Sequence, residues 1–222
     1  MSAHLLFADA PSAAAVLVFA QRAARLGDGT VRLRASGGTL AVTSAPLAPQ
    51  TLLEATPTVL GMRFVRVDPE LECDLVVDAA ALAPGDAPNA IALPDSAVTA
   101  PWAGVSPPRS GWERAASLDA ATLAARAQWG IAAVAEAVPD AAGEDVVRLV
   151  RAQVWGEPDG EVVDLPRGVA FAAFALGFIG GEETATVHRS GPWTRVSLRR
   201  GHVLTRTRVH SGLTEVRATG AA

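Results

Sequence analysis

The chain has 222 residues, half of them apolar, with 19 basic and 23 acidic side chains and a formal net charge of −4. This composition excludes a disordered chain and supplies enough apolar side chain for one large core or two small ones. A single cysteine, Cys73, excludes an internal disulfide and any multi-cysteine metal site, and points to a reducing, cytoplasmic setting.

Residues 4–8 (HLLFA) read as a first strand, and Ser12 after Pro11 starts a helix over about 12–26 that Gly27 and Gly29 stop. The apolar stretch here does not read as a secretory leader. No basic residue precedes it, Asp9 and Pro11 interrupt it, and Arg22 and Arg25 follow it. Residues 30–35 and 39–44 alternate in the strand manner around Ser36-Gly37-Gly38, which is hairpin chemistry, and strands are expected again at 59–67 and 75–78. Six of the fifteen prolines fall between 79 and 116 (Pro84, Pro88, Pro94, Pro101, Pro107, Pro108), which removes backbone donors and disfavours helix. Trp102 and Trp112 within that stretch imply that it packs onto something.

A helix is expected over 118–138, started near Ser117 or Asp119 and ended by Pro139, with Leu123, Ile131, Val134 and Val138 as its apolar stripe. A second, about 143–155, places Val146, Val150 and Val154 on one face and pairs Glu144 with Arg148. A third begins at Asp164 and Pro166, is apolar nearly all round, and ends at Gly180-Gly181. Strands at 183–189, 193–199 and 202–209 complete the chain. The longest apolar run, 168–181, is too short for a bilayer, which needs about 20 residues, so no membrane segment is expected.

Residues 11–43 are echoed at 166–198. An offset of 154 places Gly27 on Gly181, Thr30 on Thr184, and Ser36-Gly37 on Ser190-Gly191. The expected fold is therefore α+β: two pseudo-repeated helix-strand-strand units forming antiparallel sheet or sheets, with an inserted helical hairpin. Residues 1–78 form the first unit and 79–116 a Pro-rich connector packed on its surface. Residues 117–222 hold the helical hairpin and a second unit with basic C-terminal strands.

All basic residues are Arg, and Lys and Tyr are absent, which with abundant Ala, Gly, Pro and Val reads as genomic base composition. Their distribution is more telling. Residues 188–217 carry seven Arg against Glu215 alone, a net of +6, whereas the remainder has 12 Arg against 22 acids. In a hairpin turning at Arg200-Gly201, Val196 and Leu198 would face inward with Arg195 and Arg199 outward, and Arg206 and Arg208 would share one parity. A basic face on an acidic molecule suits an acidic protein partner, or self-association as a homodimer, better than nucleic acid. A solvated edge hairpin protected by charge is the plain structural alternative.

Asp68, Glu70, Glu72 and Asp74 would share a face if extended, but Pro69 favours a turn, and a salt network is expected there rather than a metal. His4, His188, His202 and His210 show no ligand spacing, and Cys73 beside acids is expected to be an unreactive thiol. GxSxG, Walker, GxGxxG and CxxC patterns are absent from the sequence. The functional expectation is a non-enzymatic cytoplasmic binding or adaptor protein without cofactor or metal, engaging an acidic partner through Arg195, Arg199, Arg206 and Arg208. The alternatives are nucleic-acid binding through the same face, or an enzyme with a site between the units using His188, His202 and Glu183.

Overall fold

The computed structural model describes residues 4–49, 51, 54 and 56–206. In chain order the elements are β1 (His4–Leu6), α1 (Ala10–Ala23), β2 (Thr30–Ser36), β3 (Thr39–Leu47), β4 (Thr58–Arg66), β5 (Cys73–Asp78), β6 (Ala83–Pro84) and β7 (Ala90–Ala92). There follow β8 (Glu113–Asp119), α2 (Ala120–Ala137), α3 (Glu144–Gly156), β9 (Pro158–Asp159), β10 (Leu165–Pro166), α4 (Gly168–Ala175), β11 (Thr184–Ser190), β12 (Trp193–Leu198) and β13 (Gly201–Arg206). Mixed helix and antiparallel sheet is thus the observed class.

Eight strands form one open antiparallel sheet in the order β5-β2-β3-β4-β13-β12-β11-β8. That order reads symmetrically about its centre. Each half runs from an edge strand (β5 or β8) through a hairpin (β2-β3 or β11-β12) to an inner strand, and the inner strands β4 and β13 pair antiparallel, His202 opposite Met62 and Arg206 opposite Thr58. The echo in the sequence carries into the backbone at the same offset of 154: β2 starts at Thr30 and β11 at Thr184, β3 at Thr39 and β12 at Trp193. Both hairpins turn through a left-handed glycine, Gly37 at φ 56° and Gly191 at φ 54°, a conformation that costs a side-chain-bearing residue energy.

Period-two alternation sets the two faces of the sheet. Val31, Leu33, Leu40, Val42, Val187, Val196 and Val203 are buried against α1 and α4. At the seam between the halves, the rings of Phe19 (α1) and Phe178 stack at 6.1 Å, and the Arg22 guanidinium donates to the Leu176 carbonyl at 2.9 Å. Phe178 lies over Gly201 and Leu176 over Gly61, where a Cβ would overlap them, so two strand glycines let the α4 turn approach the sheet.

Several local expectations are corrected. The cap of α1 is Asp9, which accepts from the Ser12 amide at 2.7 Å, so the helix begins before Ser12 and ends at Ala23. The α2 stripe is Ala120, Leu123, Ala127 and Gly130, with Ile131 exposed, because the Trp155 indole occupies the space a side chain at 130 would need. Trp155 is the buried residue of α3 and stacks on Phe171 at 4.4 Å, leaving Val146 exposed. Arg148 pairs with Glu54 at 3.1 Å and Asp145 at 3.5 Å instead of Glu144. Asp164 does not cap α4. Val163 and Asp164 both take left-handed φ values and feed the short β9-β10 ladder, and the helix is capped three residues later, at Arg167. It ends at Gly177, φ 72°, rather than at Gly180-Gly181, with the Phe178 amide bonding the Ala173 carbonyl in the manner of a Schellman closure. Among the described residues no helix is long and apolar enough to cross a membrane.

Candidate binding trough on the outer sheet face

The sheet face turned away from the helices is half covered by the chain between β7 and β8. Ala100 and Trp102 bury themselves on Ala45, Leu60, Trp193 and Leu204, and the Trp102 indole N–H donates to Asp28 at 2.9 Å. Val98 lies alongside β5, its amide donating to the Val76 carbonyl at 2.8 Å. Arg32 fastens the next turn. Its guanidinium donates to both Asp74 carboxylate oxygens at 2.6 and 2.7 Å, to the Ala103 carbonyl at 2.7 Å and to Ser106 Oγ at 3.1 Å. Asp74 is held below the ordinary aspartate range by this donation from Arg32, and Arg32 is raised in turn.

Between this strap and the sheet lies a cavity of about 340 Å³. Leu60, Met62, Phe64 and Leu204 contribute its apolar floor, Trp102, Val105, Pro108 and Trp112 its strap side, and Arg32, Arg34, Arg109 and Arg195 its charge; no acidic residue lines it among the described residues. Arg195 is the distinctive member. Its guanidinium stacks over the Trp112 ring at 4.5 Å, and its buried Nε has no hydrogen-bond partner among the described residues. Burial pulls its pKa below the usual arginine value. Trp112 is held by donation of its own N–H to the Pro108 carbonyl at 3.1 Å.

His188 and Arg195 face one another across β11 and β12, and His202 lies on the same sheet face. His202 Nδ1 is 2.9 Å from Ser197 Oγ, and its ring meets the Phe64 ring edge-on at 5.5 Å. Burial first, then the charges of Arg195 and His188, push the His202 pKa down, so the ring is neutral near pH 7. The Ser197–His202 contact has no carboxylate beside it to stabilise an imidazolium among the described residues. Glu183 does not join these histidines. It precedes β11 with the parity of the inward Ala185 and Val187, and accepts from the Arg199 amide at 2.9 Å.

The sequence-derived arginines therefore separate. Arg195 lines the trough, and Arg206, opposite Trp193, lies on the same sheet face at the end of β13. Arg199 belongs to the β12-β13 turn, with its Nε 3.6 Å from Glu183. Arg208 and His210 lie outside the described residues. Sequence reasoning missed Arg32, Arg34 and Arg109. For the first two the signal was present: Val31 and Leu33 alternate inward in TVRLR, so Arg32 and Arg34 share the outward parity. The acidic quartet splits, with Asp68 forming a turn whose side chain accepts from the Glu70 amide, Glu72 accepting from Gly37 and Asp74 taken by Arg32. Cys73 is raised, chiefly by burial and further by Asp74 and Glu72.

Residues 1–104 match the family model described as Domain of unknown function (DUF8010), and residues 107–210 match Domain of unknown function (DUF8185). The two matches meet within the strap. No curated protein matches the sequence. Among solved structures, the chain is similar to a putative DNA polymerase III beta subunit from Eubacterium rectale (8% identity, TM-score 0.49, 98% of this chain and 68% of that one). It is also similar to the DNA polymerase sliding clamp from Caulobacter crescentus (15% identity, TM-score 0.48, 99% and 70%). A third similar structure is a DnaN sliding clamp from Bartonella birtlesii bound to griselimycin (12% identity, TM-score 0.49, 96% and 67%).

Proposed function

We propose that this protein is a non-enzymatic binding module whose outer sheet face receives an acidic segment of a partner protein, with Arg195 at the centre of the contact. The observation that carries this reading is Arg195 itself. A guanidinium stacked on Trp112, with a buried Nε that has no described partner, lines a trough that holds three further arginines and no described acid. A carboxylate next to an apolar side chain complements that surface, because guanidinium binds carboxylate through paired N–H donors while the floor takes the neighbouring side chain. Arg206 extends the basic face beyond the trough, Arg208 is carried over from the sequence as a further contact, and Arg199, turned toward Glu183 and the Gly180 carbonyl, stands at the edge of that face.

The histidines fit this reading better than a catalytic one. Ser197 and His202 lie together, but among the described residues no carboxylate orients the imidazole or stabilises the imidazolium that a base would become. The test is capture of partners from the source cell's lysate on the intact protein, with and without nuclease, in parallel with a variant carrying Arg195, Arg199, Arg206 and Arg208 reversed to Glu. A retained protein that survives nuclease and is lost with the reversed variant supports the reading. Equal retention by both forms, or loss of all retained material with nuclease, overturns it.

A further inference from the structure

On the opposite side of the sheet, three arginines from three separate elements gather around the turn that closes α4. Arg22 comes from the last turn of α1, Arg63 from the inward parity of β4, and Arg200 from the β12-β13 turn. Arg22 donates to the Leu176 carbonyl at 2.9 Å, and its guanidinium occupies the space above Gly177 where a side chain would project. The Arg200 guanidinium occupies the corresponding space above Gly180. Two glycines thus clear room for two guanidinium groups, and any larger residue at either position would displace them. Arg63 stands two residues beyond Gly61 on the same inward face of β4, and Leu176 of the α4 turn lies over Gly61, so Arg63 borders that turn; burial first, then the charges of Arg200 and Arg22, lower its pKa.

No described carboxylate is within ion-pair distance of Arg22, Arg63 or Arg200, whereas Arg32, Arg126, Arg148, Arg167 and Arg199 all have acidic partners. One cation suffices to complement the carbonyl end of an eight-residue helix, and Arg22 supplies it. Arg63 is half-buried and feels the charges of Arg200 and Arg22, which are themselves exposed, so the three together form a basic patch without a described counter-charge. Uncompensated groups of guanidinium donors are what multivalent oxyanions bind.

We infer that Arg22, Arg63 and Arg200 form a binding site for the phosphate group of a small phosphate-bearing ligand, separate from the trough. The guanidinium donors supply the recognition, and the glycines of the α4 turn fix their positions.

The probe is inorganic pyrophosphate, titrated calorimetrically into the full-length protein at low salt. The expected result is saturable binding that weakens on the order of tenfold or more in Arg63→Ala, because charge-assisted hydrogen bonds to phosphate are lost. Arg63→Lys should recover only part of it. Gly180→Ala should weaken binding too, although it removes no charge, by moving Arg200. Arg63→Ala should unfold at or above the wild-type temperature without ligand, and pyrophosphate should raise the wild-type midpoint but not the variant's. Arg151→Glu, at an exposed arginine of α3 that lines neither site, should leave pyrophosphate affinity unchanged. The inference is overturned by absent binding, by equal affinity in wild type and Arg63→Ala, or by Arg63-dependent binding of a DNA duplex without any binding of pyrophosphate.

Discussion

Replacing Arg32 by Met tests how the trough is built, because one guanidinium ties the strap to the sheet. The Met side chain keeps the apolar stem and removes four hydrogen bonds: two to Asp74, one to the Ala103 carbonyl and one to Ser106. Asp74 and Ser106 are solvent-accessible and rehydrate, so the ion pair contributes no more than about 1 kcal/mol. The Ala103 carbonyl bond, part-buried, adds about 1 kcal/mol more. The expected destabilisation is about 2 kcal/mol, a fall of roughly 4–8 °C in Tm for a chain of this size. The second readout is local: Arg109 sits in the strap, and trypsin should cut after it several-fold faster in the variant while sites in the sheet stay protected. The third is pH. Asp74 titrates below its ordinary value of 3.8 because of Arg32, so the stability it contributes is present above about pH 4 and is lost as the pH falls through the lowered value. Arg32→Met should therefore have a shallower loss of stability below pH 4 than wild type. A Tm unchanged within 1 °C together with unchanged cleavage at Arg109 would refute the argument that this side chain holds the strap.

Phe178→Ala should cost about 3–5 kcal/mol in denaturant unfolding, because the fully buried ring fills the seam between Phe19 and Gly201; a loss below about 1.5 kcal/mol would show that the seam is not packed as described. Gly130→Ala should destabilise by about 1–3 kcal/mol by pushing Trp155 off α2, with a matching change in tryptophan fluorescence; unchanged stability and emission would place the indole elsewhere. His202 is held neutral, so the unfolded chain takes up its proton first and stability should fall as the pH drops below about 6.5; His202→Gln should flatten the curve between about pH 5 and 6.5, and an unchanged slope would contradict the burial of that ring. Cys73, raised by burial and two acids, should react with iodoacetamide at pH 7.5 more slowly than a free cysteine peptide, and equal rates would show an accessible thiolate.

What could be read in the sequence was whatever depends on local pattern. Two-residue alternation placed Val196 and Leu198 inward and Arg195 outward, and the glycine-marked hairpins fixed β2 and β11 at one offset, because strand parity and left-handed turns leave marks in the chain itself. Helix faces built from small residues left no such mark. The buried side of α2 is Ala120, Leu123, Ala127 and Gly130; apolar periodicity found Leu123 but also favoured the exposed Ile131, because the Trp155 ring that arrives from α3 fills the space above Gly130. The start of α4 was misplaced for a related reason: Asp164 has the chemistry of a cap, yet the β9-β10 ladder and the Asp159 pairs with Arg126 and Arg167 fix that stretch from outside. The trough was only half legible. Arg195 could be assigned a face, but its company of Trp112, Arg109 and Arg34 depends on how residues 100–112 fold back over the sheet, and proline density announces irregular chain without saying where it goes.

The sequence contains two methionines, Met1 and Met62, and Met62 lies on the floor of the trough beside Leu60 and Phe64. Labelling the methionine methyl groups with carbon-13 therefore places a single reporter inside the proposed site. Titration with the partner captured from lysate should shift or broaden the Met62 methyl signal in saturable fashion, with the effect abolished in Arg195→Glu. A partner that binds at the same affinity while the Met62 signal stays unmoved would contradict the assignment of this face as the binding surface.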